Sequence, residues 1–360
     1  MNQLVAAQPS EDVELATILD PSDLGPLHVA PLVPIEILQK HKVAVPTDQS
    51  FRAAARLLQA LWREDRGLVI AHYLNGEGKR VRLGSRITPV AGRQGENFLS
   101  PDIATLVRRE CMFREIGALL EVDRLQTNLL SSMPMTFNLF APLKVNLRNA
   151  ARFIDELFPG FMAECKAVRF EHSPGRGDPR YTADHSAFDV CLYGLSATGD
   201  RVFVAFEIKY SETGFEPIPD RFSPRHFAIA EQAGLLIETE DPTIALNPVQ
   251  QLHREHCLAQ SILDNDKADA GIFVLLAPSL NHLVQDMGVT YARKLAPAAA
   301  GKVRFGTVTL ERSIHALAGI GLITHAQMMF RRYCDFRLIE GELDLEFESQ
   351  RTAADCPLGA

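Results

Sequence analysis

Two acids and a lysine stand on neighbouring apolar runs. Asp189 lies in AFDVCLYGL, Glu207 and Lys209 lie in VFVAFEIKY, and Ser196-Ala197-Thr198-Gly199 falls between the runs. Such runs around a short polar turn read as two antiparallel strands. If the turn centres on residues 197–199, partner numbers sum to about 396, and Asp189 lies opposite Glu207 to within one residue. Side chains alternate along a strand, so Glu207 and Lys209 share a face with Phe203 and Ala205, while Val204, Phe206 and Ile208 take the other. Opposed carboxylates in apolar surroundings repel, and a bound cation relieves that repulsion. Oxygen ligands suit Mg²⁺ or Mn²⁺. Such an ion polarises a phosphoryl oxygen and acidifies a bound water, and an ammonium beside it stabilises charge in the transition state. This is the chemistry of phosphodiester hydrolysis. The plain alternative for the three residues is a structural ion pair across a hairpin.

The flanking sequence supplies the elements that must hold them. Ser100, Pro101 and Asp102 make a helix start: a side-chain acceptor, a proline whose missing N–H costs nothing, and an acid at the positive helix end. That helix is expected to run towards Leu120. Residues 149–158 form another, with Ala150, Phe153, Ile154 and Leu157 on one stripe and Pro159-Gly160 as the stop. Strands are expected at 166–171, 187–193 and 201–210, followed by a proline-bearing loop. Asn247 and Pro248 then read as cap and first residue of a helix through VQQLHREHCLAQSIL, and GIFVLLAP is the next strand. A further strand at 303–309 and helix at 312–317 complete a mixed α/β chain.

The order helix, three strands, helix, strand resembles the core of the PD-(D/E)XK nuclease superfamily. FNLF, SAFDV and EIKYSE together resemble a bacterial group of restriction-endonuclease-like proteins within it. The resemblance covers roughly residues 100–335. It implies a restriction-endonuclease-like α/β core, a mixed sheet flanked by helices, behind an N-terminal accessory region. It further implies that Asp189 and Glu207 bind Mg²⁺ or Mn²⁺ together with the backbone carbonyl of Ile208, and that Lys209 is the catalytic lysine. Phe188 stands where the superfamily has a proline before its first Asp. Some members add a glutamate from the first core helix. Glu115, Glu156 and Glu171 compete for that role here, with Glu115 preferred. Gln251 resembles the Gln or Tyr often found on the helix after the lysine strand, and Arg254 one turn on can reach phosphate. Asn128, Ser131, Ser132 and Asn138, in LQTNLLSSMPMTFNLF, either line the site or cap helices, and Ser132 before Met133-Pro134 reads as a helix start. The implied activity is that of a metal-dependent nuclease on nucleic acid, DNA first, acting as an endonuclease. A homodimer would pair two such sites, although no interface is legible.

Composition sets the bounds. The chain has 360 residues, 46% hydrophobic and 23% charged, which excludes a disordered or disulfide-scaffold protein. The net charge of −8 gives no overall basicity for nucleic acid, yet residues 51–110 carry 11 Lys and Arg against 6 Asp and Glu. A basic amphipathic helix from Gln49 to Arg66 is expected there, facing phosphates. The divisions expected are a loosely structured arm at 1–48, an accessory region at 49–99, the nuclease-like core at 100–335 and an acidic tail at 336–360. No apolar run approaches the roughly 18 residues of a membrane span, and the first residues lack the pattern of a leader, so a cytoplasmic protein that does not cross a membrane is expected. Six cysteines form no CxxC pair. His253 and His256 lack a third ligand at zinc spacing, and NGEGKRVRLGS fails the phosphate-loop pattern. Two other functions fit the same residues: a non-catalytic module of this fold that binds nucleic acid or a protein partner, and a phosphoesterase for small nucleotides.

Overall fold

A computed structural model describes residues 30–74, 77–215, 224–238 and 241–354; most of the expected arm, residues 1–29, lies outside them, as does Cys356. Helices α1 (Ile35–Lys40) and α2 (Ser50–Asp65) precede an antiparallel hairpin of β1 (Ile70–Leu74) and β2 (Arg80–Ile87). Helices α3 (Pro89–Gln94), α4 (Pro101–Met112), α5 (Val122–Thr127), α6 (Ser132–Val145) and α7 (Leu147–Leu157) follow. Helix α4 starts where the sequence places it, with the Ser100 side chain accepting from the Ile103 N–H at 3.3 Å. It ends at Met112, well short of Leu120. Gly117, at φ +82°, leaves the helical region, and the Glu115 carboxylate is taken by His172 and by the N–H of Ser173. Helix α6 begins at Ser132, capped by Ser131, whose side chain accepts from the Met133 N–H.

The sheet comes next. Strands β3 (Glu164–His172), β4 (Phe188–Leu195) and β5 (Arg201–Ile208) form an antiparallel meander. Register in the central hairpin runs from Val190 opposite Phe206 to Leu195 opposite Arg201, so partner numbers sum to 396 throughout, as the turn predicts. Helix α8 (Pro224–Ala233) and helix α9 (Gln250–Asp264) carry the chain across to β6 (Ala270–Ala277), which lies parallel to β5. Helix α9 starts two residues later than expected: Val249 occupies the cap position and Pro248 stands before the helix. Helix α10 (His282–Ala292) leads to β7 (Arg304–Thr309), parallel to β6, and the strand order is β3-β4-β5-β6-β7. Helices α11 (Leu310–Gly319), α12 (Ile323–Tyr333) and α13 (Arg337–Ala354) end the described chain.

Each sheet face is covered, which is why the strands read as almost continuous apolar runs. Val190, Leu192, Val204, Phe206 and Val274 join one cluster with Phe137 and Phe140 of α6. Cys191, Phe203, Ala205, Phe273 and Leu275 join a second with Leu252 and Leu258 of α9. A buried phenylalanine such as Phe206 contributes about 1.5–3 kcal/mol. Leu57 and Leu58 of α2 belong to the first cluster. Two arginines of that helix face inward: Arg56 grips Asp48 and the Ser85 hydroxyl, and Arg63 donates to the carbonyls of Gly84 and Leu68. The expected solvent-facing basic stripe is therefore partly spent inside the protein. Among the described residues all five cysteines are free, and no helix is long and apolar enough to cross a membrane.

Candidate active site

Asp189 and Glu207 leave the central hairpin together, one residue beyond the pair Val190–Phe206. The half-buried Asp189 carboxylate accepts from the Ile208 N–H at 2.7 Å, so the first acid is seated on the main chain that carries the second. On its other side, β3 pairs Phe170 with Val190 and His172 with Phe188. Between those pairs Glu171 adopts φ +48°. A side-chain-bearing residue in the left-handed region costs about 1–2 kcal/mol, and such strain collects at functional sites. Glu171 lines the same cleft as Asp189 and Glu207, a cavity of about 300 Å³.

The second acid and the lysine are held by the sheet and by α9. Parallel pairing sets Glu207 beside Leu275, and the Lys209 N–H donates to the Leu276 carbonyl at 2.9 Å. The Lys209 ammonium lies 2.8 Å from Glu207 Oε1. It also donates to Gln251 Oε1 at 2.8 Å. The same Gln251 amide donates through Nε2 to Glu207 Oε1 at 2.8 Å and to Glu255 Oε1 at 3.0 Å. Gln251 thus fixes lysine and glutamate at once, its oxygen towards the cation and its nitrogen towards the carboxylates. Glu255 sits four residues on, on the same helix face.

Charge in this cleft is unbalanced. Six carboxylates and four cationic side chains line it. Burial, then Glu207 and Glu171, push the Asp189 carboxyl well above its ordinary range. Burial and Glu207 raise Glu171 to about 7, and the same two causes raise Glu255. Burial alone would lower the Lys209 ammonium, but the attraction of Glu207 and Glu212 outweighs it and its pKa is raised, so it stays charged. Glu212 goes the other way. Burial would raise it, yet Lys209, Arg124 and the Tyr210 N–H hold it ionised, and it also accepts from the Ser132 hydroxyl and N–H at the start of α6.

The structure brings together Asp189, Glu207, Ile208, Lys209, Gln251, Arg254, Ser132 and, of the three competing glutamates, Glu171. It does not bring Glu115 there. That carboxylate is bonded to His172 and the Ser173 N–H, and stands 3.8 Å from Arg176, which itself lines the cleft. Glu156 lies beside Gly319 instead. Ser131 caps α6, and Asn138 is buried with bonds to Leu99, Asn97 and the Tyr333 hydroxyl. Asn128 faces a separate cavity. Glu121, Arg124, Arg176, Glu212 and Glu255 are the acids and arginines of the cleft that sequence reasoning leaves unassigned. Only Glu255 had a local signal, its spacing of four from Gln251. His253 and His256 are buried against Cys257, Tyr291 and the Val303 carbonyl, away from the cleft.

The residues fit a hard divalent cation. The donors are all oxygen, negative charge is in surplus, and Glu255 Oε2 is buried with no hydrogen-bond partner. The Ile208 carbonyl leaves the strand on the same edge as the N–H that binds Asp189. Among the described residues no three His, Cys, Asp or Glu side chains are grouped to hold a metal ion. A cation here would rest on two carboxylates, a carbonyl and water, the sparse protein set that Mg²⁺ tolerates.

No curated protein and no solved structure was found to match the chain. The family model of the PD-(D/E)XK nuclease superfamily matches residues 46–335, most of the chain. The five-strand mixed sheet between helices agrees with that fold, and a nuclease-type function goes with it. On the meander, the crossover helix and this match, the chain belongs to the PD-(D/E)XK nuclease superfamily.

Proposed function

We propose that the protein hydrolyses phosphodiester bonds in nucleic acid, with DNA as substrate, at the site formed by Asp189, Glu207 and Lys209. The observation that carries this reading is the meeting of the Lys209 ammonium with Glu207 at 2.8 Å, next to an Asp189 seated on the Ile208 N–H. Mg²⁺ or Mn²⁺ held by Asp189, Glu207 and the Ile208 carbonyl would supply Lewis acidity towards a phosphoryl oxygen and a more acidic water. Lys209, its ammonium paired with Glu207 and Gln251, acts as an electrostatic partner for the phosphoryl group. Gln251 positions that ammonium against Glu207. Glu171 takes the place proposed from sequence for Glu115, because it lines the cleft with the other acids. Arg124 and Arg254, which line the cleft, offer planar donors to a phosphate, while Arg176 is bonded to the carbonyls of Glu171 and His185.

The test is incubation of the full chain with supercoiled plasmid, linear duplex and single-stranded DNA in Mg²⁺, in Mn²⁺ and in EDTA. Cleavage that EDTA abolishes supports the reading, and nicking of closed circles separates endonuclease from end-directed action. A folded protein that binds Mn²⁺ but cleaves nothing, or that binds DNA equally in EDTA with no cleavage, supports a non-catalytic module instead.

A further inference from the structure

Next to the cleft lies a second cavity of about 370 Å³, framed by α2, β2, α5 and the chain after β5. Its charged lining is Arg52, Arg56, Arg86 and Arg124 against a single carboxylate, Glu212. Arg56 is committed to Asp48 and Ser85. The other three also have partners on the cavity wall or beside it. Arg52 donates to the Ser211 carbonyl at 3.2 Å, with Nε 3.2 Å from Asp48. Arg86 has contacts of 3.4 Å to Asp123 and 3.5 Å to Thr127. Arg124 bonds Ser131 Oγ at 2.8 Å and Glu212 at 3.2 Å. With the ion-pair partners Asp48, Glu121 and Asp123 counted, four carboxylates balance the four arginines, but on the cavity wall itself Glu212 is the single carboxylate against four guanidinium groups.

Two residues, Arg124 and Glu212, line both cavities, so the arginine pocket opens on the same wall as the acidic cleft. One cavity concentrates carboxylates for a cation and its neighbour concentrates guanidinium groups for an anion. Guanidinium forks match the oxygens of a phosphate, and a cavity of this volume takes a nucleotide-sized group. We infer that the arginine pocket binds a phosphate of the nucleic-acid substrate adjoining the one in the cleft, either a terminal phosphate monoester or an internal phosphodiester. The inference rests on the nuclease reading above and names where the substrate is anchored. It also gives a role to two arginines of that basic region: Arg52 on α2 and Arg86 on β2 reach the pocket.

Binding in EDTA tests this without cleavage. Fluorescence anisotropy of the full chain is measured over a salt series with three single-stranded DNA probes: an oligonucleotide with a terminal phosphate, the same oligonucleotide without it, and a closed circle. Arg52→Gln and Arg86→Gln are expected to weaken binding about tenfold each and to lower the salt slope by about 0.7 per lost phosphate contact. Asn128→Asp guards against misfolding. It is isosteric, keeps the acceptor for the Leu130 N–H, and brings a negative charge to the pocket, so it should weaken binding as well. A preference for the phosphorylated end, lost in the arginine variants, identifies a terminal phosphate as the occupant; equal loss on all three probes identifies an internal one. If all three folded variants bind with wild-type affinity and salt slope, the pocket inference is overturned. If the wild type binds none of the probes, the pocket inference is overturned, while the nuclease reading is decided separately by the cleavage assay with metal.

Discussion

The Ile208 N–H donates to Asp189 Oδ2 at 2.7 Å, tying the start of β4 to the end of β5 through a side chain. The bond needs an acceptor but not a charge. Burial and the neighbouring acids disfavour the Asp189 carboxylate in the folded protein. Asp189→Asn, which keeps an oxygen in place, should therefore leave stability unchanged or raise it by about 1 kcal/mol while cutting cleavage at least a hundredfold. Chemical denaturation beside an activity assay checks the pair of effects. Loss of stability with retained cleavage would sink the assignment.

Glu171 and Glu115 should separate in the same way. Glu171→Gln removes an acid from the cleft and is expected to lower the cleavage rate tenfold or more with a wild-type melting profile. Glu115→Gln weakens the contacts to His172 and Ser173 and should instead cost about 1–3 kcal/mol of stability, with a smaller effect on rate. Denaturation curves and initial rates for the two variants decide it, and the opposite pattern would return the role to Glu115.

The hairpin that carries the site was legible because turn position and alternation are local: the register sum of 396 and the sharing of a face by Glu207, Phe203 and Ala205 follow from counting. The cap at Ser100 was legible for the same reason, and the helix start read at Ser132 is the first residue of α6, with Ser131 before it as the cap. Glu171 was named among three competing glutamates but not preferred, because its place depends on a left-handed φ and on pairing with a strand some twenty residues away in sequence. Arg124 and Arg176 reach the cleft only through tertiary packing, and no spacing in the chain announces that. The inward turn of Arg56 and Arg63 was hidden too, since amphipathic periodicity cannot distinguish a solvated arginine from one bonded to buried carbonyls and a buried acid.

Acid should unfold the protein through two buried histidines on α9. Burial lowers His253 to about 3 and His256 to about 4, from an ordinary value of 6.5. Between these limits the unfolded chain binds protons that the folded chain refuses, so stability is complete above pH 6.5 and is lost as the pH falls towards 4. Each histidine contributes up to about 1.4 kcal/mol per pH unit in that window. Urea denaturation at several pH values should give a shallower acid slope for His256→Gln than for wild type; equal slopes would contradict the assignment.

Arg332 is fully buried and joins α12 to the N-terminal half of the chain. It donates to the Asn97 carbonyl at 2.8 Å and to Gln59 Oε1 at 3.2 Å, and its guanidinium lies 4.0 Å from the centre of the Trp62 ring. Arg332→Ala opens a cavity and takes the arginine donor from Gln59 Oε1 and Asn97 Oδ1, with an expected loss of about 3–5 kcal/mol. A melting temperature close to wild type would show that the N-terminal helices are not anchored through it.

The central claim is that Asp189, Glu207 and Lys209 form one metal-dependent phosphodiesterase centre. Its most direct test measures Mn²⁺ binding and DNA cleavage in parallel for wild type, Glu207→Gln and Lys209→Ala. The account predicts that wild type binds and cleaves, that Glu207→Gln loses both, and that Lys209→Ala keeps Mn²⁺ but loses cleavage by a hundredfold or more. Unchanged cleavage in either variant would contradict it.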